Sequence, residues 1–317
     1  MKKYILPLLI LAAMSFASCQ QETLSEESVI KDSSVEMNDF DRWLEANFLR
    51  PYNIEFKYRF TLDESDKGFW NTPADIDAAI IYAHLVKYLC VDTYDEVAGI
   101  DFTRAYFPKM FFLVGTWEYR NNGSIVLGTA EAGKKIMLSG VNELPLLFEN
   151  LEKGLITEEE LAEDLSHYYI KTIHHEFTHI LNQTKTYPET FGTITSTTYV
   201  GDACFDTDSY WRGRGYITAY AQSEHREDFA ELVSEYITHD QAWWDQQLAD
   251  ARAEITQVRA KDPDAEYGDV IINSKMDIVK AYLQDSWGID IDDLRDILLR
   301  RFSDVAAGRV DLNTVEL

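Results

Sequence analysis

The run His175-Glu176-Phe177-Thr178-His179 carries the strongest chemical signal in the chain. A step of four residues turns a helix by only about 40°, so both imidazoles leave one face and can share a metal ion. Glu176 leaves the helix roughly 100° from His175, close enough to act on a water at that metal without ligating it. Nitrogen and oxygen donors in this pattern suit zinc. The neighbouring residues argue against a solvated helix, because Tyr169, Ile170, Ile173, Phe177, Ile180 and Leu181 cover much of its circumference. Two histidines and a glutamate inside a buried helix need partners, and a metal supplies them. His174 projects from another face and reads as an ordinary core or surface residue, as do His225 and His239 at the surface.

Zinc needs a third protein ligand. The residues after the second histidine, Ile180-Leu181-Asn182-Gln183-Thr184-Lys185, lack the Gly and His of the metzincin pattern and exclude it. A later helix offers acids instead, crowded into Glu224-His225-Arg226-Glu227-Asp228-Phe229-Ala230-Glu231. On a helical wheel Phe229, Leu232, Val233, Tyr236 and Ile237 share one face, while Glu224, Glu227 and Glu231 share the opposite one. Periodicity leaves these three carboxylates as alternatives.

The first residues are a targeting segment rather than part of the fold. Lys2 and Lys3 precede the apolar run Ile5 to Ala13, and Ala17 and Ser18 precede Cys19. The arrangement resembles a bacterial lipobox, with Phe16 where Leu is usual, and implies a signal at 1–18 and a lipidated Cys19. Residues 19–38 read as an acidic, solvated tether, and 39–317 as the folded domain. Gln20 after the cysteine resembles outer-membrane sorting signals, and the acids beyond it resemble surface-export signals. The chain has 317 residues with 55 acidic and 29 basic, a formal charge of −26. The acidic balance speaks against a nucleic-acid partner, while 46% hydrophobic and 13% aromatic residues exclude a wholly disordered chain. Three cysteines are too few for a disulfide scaffold, and Cys90 reads as a buried thiol.

The segment from Tyr220 through Glu224 and Glu227 to Glu231, some 40 residues after His179, resembles the zinc-site segment of gluzincins of the anthrax lethal factor type. The resemblance implies Glu227 as the zinc ligand, Glu231 as a second acid behind it, and Tyr220 as a hydroxyl donor to the transition state. The lipobox, the acidic tether, the HEFTH run and Glu227-Asp228-Phe229-Ala230-Glu231 together resemble zinc-metallohydrolase lipoproteins associated with TonB-dependent nutrient importers. The expected activity is zinc-dependent hydrolysis of peptide bonds with Glu176 as general base, in a peptide or protein substrate. The expected location is the outer membrane, lipid-anchored and facing the cell surface beside an importer complex. Two other readings stand beside it: a surface docking lipoprotein with a structural zinc, and hydrolysis of a non-peptide amide or ester.

The elements that must hold these residues read as α+β, with a mixed strand and helix N-terminal half and a helical C-terminal half, and the resemblance implies a zincin-like metallopeptidase fold. A short helix is expected over 39–49, stopped before Pro51. Ile54, Phe56, Tyr58 and Phe60 alternate as a strand, and Thr72-Pro73 opens a helix. Met110–Trp117, the turn at Asn121-Asn122-Gly123 and Ser124–Gly128 suggest a hairpin, and Lys135–Val141 a further strand. Thr157 and Glu160 form a capping box for a helix reaching about Gln183. Residues 184–219 lack helical periodicity; Tyr187, Phe191, Tyr199, Phe205, Tyr210 and Trp211 there are expected to wall the substrate site. Helices follow at 224–246, 246–261, 274–287 and 291–305.

Overall fold

The computed structural model describes residues 36–120, 125–131, 135–205 and 209–316. Cys19, the leader, most of the tether and the turn at 121–123 lie outside the described residues. Residues 38–317 form one compact unit. It opens with Asp39–Leu44, started by a capping box in which Asn38 and Asp41 exchange side-chain and backbone hydrogen bonds. Pro51 does not stop this helix. A wide π turn, Glu45–Leu49, loosens the backbone ladder just ahead of the proline, and the chain continues through Arg50–Tyr52 to a left-handed Asn53 at φ 55°.

Four strands form the main sheet in the order β1 (Glu55–Lys57), β2 (Met110–Leu113), β6 (Lys135–Leu138), β5 (Gly128–Glu131). The first two contacts are parallel and β5 runs antiparallel to β6. Strand β2 therefore does not form the expected hairpin. Its Phe111, Phe112 and Leu113 are all fully buried, as a central parallel strand requires. The hairpin around 121–123 is a separate small pair, β3 (Glu118–Tyr119) with β4 (Ile125–Val126). Strand β5 ends the sheet among the described residues, and it begins at a glycine for a steric reason. A Cβ at Gly128 would sit 2.6 Å from the Met137 carbonyl oxygen and 3.0 Å from Thr172 Cγ2.

Helix dominates both halves, more than expected in the first. Asp92–Ala98, Ile100–Tyr106 and Leu144–Glu152 join Ile76–Leu85, which starts after Asp75 rather than at Pro73. The capping box at Thr157 and Glu160 is present, and Glu158–Leu165 leads through a π turn, Ser166–Ile170, into the motif helix, Lys171–Thr184. The acid helix, His225–Thr238, packs against it. It ends eight residues before the expected 246, because Asp240 caps a new helix, Gln241–Ala253, by accepting from the Trp243 N–H. Gly268–Tyr282 and Ile291–Ala306 close the bundle. Cys90 and Cys204 are buried and are not joined in a disulfide.

Candidate metal centre

The motif helix is held by its apolar side. Ile173, Phe177 and Leu181 are buried, and Phe177 meets Tyr94, Phe102 and Phe107 edge-on. His174 belongs to that core, its Nδ1 3.1 Å from the Tyr94 hydroxyl; burial pushes its pKa down to about 3 and keeps it neutral. With Phe177 locked inward, His175 and His179 face the acid helix.

Three donor atoms converge there. His175 Nε2 and His179 Nε2 are 3.1 Å apart, and Glu227 Oε2 lies 3.0 Å from the first and 3.2 Å from the second. A tetrahedral zinc with bonds of about 2.0 Å separates its ligands by about 3.3 Å, so the triangle has the size that zinc requires. Among the described residues, the candidate metal cluster comprises these three side chains, leaving one tetrahedral position for water or substrate. Glu224 is excluded from the set. It precedes the acid helix and is turned onto Arg226, 3.0 Å from its Nε.

Glu231 does not salt-bridge Arg226. It is almost fully buried, and its Oε1 lies 2.8 Å from His175 Nδ1, a close contact off the ideal hydrogen-bond line. Its other oxygen accepts from Thr218 Oγ1 at 2.8 Å and from Lys171 Nζ at 3.2 Å. The acidic face is thus solvated only at Glu224: Glu227 is largely covered, and Asp228 through Thr238, Glu231 included, are all buried. Glu176 is half-buried, and burial raises its carboxyl pKa above the ordinary value, opposed by the two motif histidines. Acids outnumber bases in this interior, and a dication offsets that excess.

The same charges act on His175. Burial opposes its protonation, but Glu227 and Glu231 outweigh burial and lift its pKa to about 9. Below that pH the metal-free ring carries a proton, which zinc must displace. Zinc affinity should therefore rise about tenfold per pH unit up to about 9 and level off above it. Titration calorimetry at pH 7 in buffers of differing ionisation enthalpy should register release of about one proton; none released would exclude this charge state.

Two depressions border the triangle. A 240 Å³ cleft is lined by His175, Glu176, Tyr220, Phe205, Lys171 and the chain from Ile125 to Gly128. Tyr220 stacks on Phe205, and burial together with Glu227 holds its hydroxyl well above the ordinary tyrosine range, so it stays a donor. A 670 Å³ groove is lined by His179, Asn182, Tyr187, Gly192 and His225 among others. Asn182 escaped the sequence reading. It is buried one turn beyond His179, and neither carboxamide atom has a partner.

The aromatic loop divides between two roles. Tyr187 and Phe205 wall the depressions, but Phe191 is core against Phe229, and Tyr199 donates to Asp228 at 2.8 Å. Tyr210 and Trp211 instead stack with arginines Arg214 and Arg212. Asp228 itself forms a fully buried ion pair with Lys275 at 2.6 Å, and Lys275 also donates to the Gly215 carbonyl. This pair ties the loop and Gly268–Tyr282 to the residue next to Glu227.

A family described as "Putative zinc-binding metallo-peptidase" matches residues 33–292. The chain belongs to this family. Zinc is accordingly the metal of this chain, in agreement with the donor set above. A crystal structure from Bacteroides caccae ATCC 43185, carrying the same description, is 33% identical in sequence with a TM-score of 0.70. The alignment covers 91% of this chain and 100% of that one. None of the curated proteins matches.

Proposed function

We propose that this chain is a gluzincin-type zinc peptidase of zincin-like fold, with His175, His179 and Glu227 as zinc ligands. The observation that carries the reading is the three-donor triangle with Glu176 beside it, bordering the same cleft. Zinc, when bound, supplies Lewis acidity that polarises a carbonyl and acidifies water. Glu176 accepts a proton from the attacking water and passes it to the leaving amine, and its raised pKa suits both halves of that task. The Tyr220 hydroxyl donates to the developing oxyanion, an interaction typically worth about 10²–10³ in rate. Glu231 holds the ring of His175 from behind.

An extended peptide is the substrate shape these walls favour. Strand β5 leaves an edge at Gly128, which lines the cleft, and an edge can take a further strand by main-chain hydrogen bonds. The larger groove beside His179 accommodates residues on one side of the scissile bond. The leader and Cys19 support a lipid-anchored protein at the outer membrane, facing the cell surface and serving a nutrient importer.

Purified residues 20–317 should cleave peptides from an unbiased library, lose activity to a zinc chelator and regain it with added zinc. Cleavage of esters or simple amides alone would reject the peptidase reading. Zinc binding without hydrolysis of any panel would leave a docking protein with a structural metal.

A further inference from the structure

Lys171 lies one helical turn before His175 on the motif helix and is largely buried, its side chain 14% exposed. Its ammonium donates to Glu231 Oε2 at 3.2 Å and to Glu235 Oε1 at 2.6 Å. Glu231 and Glu235 are themselves one turn apart on the acid helix. Two residues of one helix are thus stitched to two of the other: Lys171 to both acids, and His175 Nδ1 to Glu231 at 2.8 Å. The outer end of the array is His239, whose Nδ1 is 3.2 Å from Glu235 Oε2 and whose ring stacks on Trp243.

We propose that Lys171 is a positioning residue for the metal centre, clamping Glu231 so that its other oxygen stays on His175 Nδ1 and fixes the ring that presents Nε2 to zinc. The inference rests on His175 being a zinc ligand. Its physical basis is the pair of buried carboxylates. Without the ammonium, Glu231 and Glu235 repel each other at a spacing of four residues. Among the described residues Glu231 then keeps Thr218 and its off-line contact with His175, and the repulsion swings it away from the imidazole. Losing such an outer contact to a zinc-bound histidine typically costs about 10- to 100-fold in metal affinity.

The test is zinc affinity by chelator competition, with the absorption spectrum of the cobalt-loaded protein as a second readout. Lys171→Met should bind zinc about 10- to 100-fold more weakly and shift the cobalt bands, and Lys171→Arg should recover most of the loss. Adding Lys171→Met to Glu231→Gln should cost little more than Glu231→Gln alone, because the lysine acts through that acid. Unchanged affinity in Lys171→Met, or a full further loss on the Glu231→Gln background, overturns the proposal. If Lys171→Met does not fold, Lys171→Met/Glu235→Gln removes the unbalanced charge. Zinc affinity equal to that of Glu235→Gln then overturns it equally. A wild-type protein that binds no zinc would instead defeat the ligand assignment itself.

Discussion

Glu176→Gln is expected to purify with the zinc content of the wild type and to hydrolyse peptide about 10²–10⁴-fold more slowly. The substitution keeps the size of the side chain and removes only its ability to take a proton. Glu176 is not among the three converging donors, so metal content should not follow it. Its carboxylate borders the cleft and has a raised pKa from burial, the setting of a group that gains and loses a proton during turnover. Metal analysis beside a peptide-cleavage assay on one preparation checks both halves. Wild-type turnover in Glu176→Gln would remove it from the mechanism, whereas joint loss of zinc and activity would make it a ligand.

Glu227→Ala should come out of purification with almost no zinc, while Glu224→Ala keeps it. Among the described residues, Glu227 alone places an oxygen within 3.2 Å of both imidazole nitrogens; Glu224 is spent on Arg226 at the protein surface. Removing the carboxylate leaves two histidines, too few for a stable tetrahedral site with a water. It also strips His175 of one of the charges that raise its pKa. Zinc stoichiometry on the two variants decides the matter, and the reverse outcome would move the third ligand to Glu224.

The centre was legible in the sequence to the extent that helical geometry governs it. A four-residue spacing places His175 and His179 on one face wherever the helix lies, so no tertiary information is needed. The third ligand was not reachable that way. Glu224, Glu227 and Glu231 share a wheel face, and what separates them is tertiary: Glu224 precedes the helix, Glu227 meets the histidines, and Glu231 is buried behind them. Lys171 and Lys275 escaped notice because an isolated lysine reads as solvent-exposed; only packing shows that each meets buried acids. Among the elements, the long capped helix was readable from Thr157 and Glu160. The parallel partner of β2 was not, since β6 reaches it across a sequence gap that local turn chemistry cannot bridge. The aromatic loop misled for a similar reason, as Phe191 and Tyr187 look alike in sequence and only one is wholly buried.

The π turn Ser166–Ile170 stands between the capped segment and the motif helix. Such a turn is equivalent to one residue inserted into a regular α-helix, and it sets the rotational phase of everything beyond it. Upstream, Leu161 and Leu165 are locked into the core; downstream, so is Phe177. Deleting a single residue within 166–170 would restore an unbroken α-helix and keep the downstream phase, whereas winding the same residues as plain α-helix, without the wide turn, would rotate the downstream side chains by about 100° relative to those leucines. Phe177 and those leucines could not then both stay in the core with the histidines facing the acid helix, so the width of this turn is itself a determinant of metal binding.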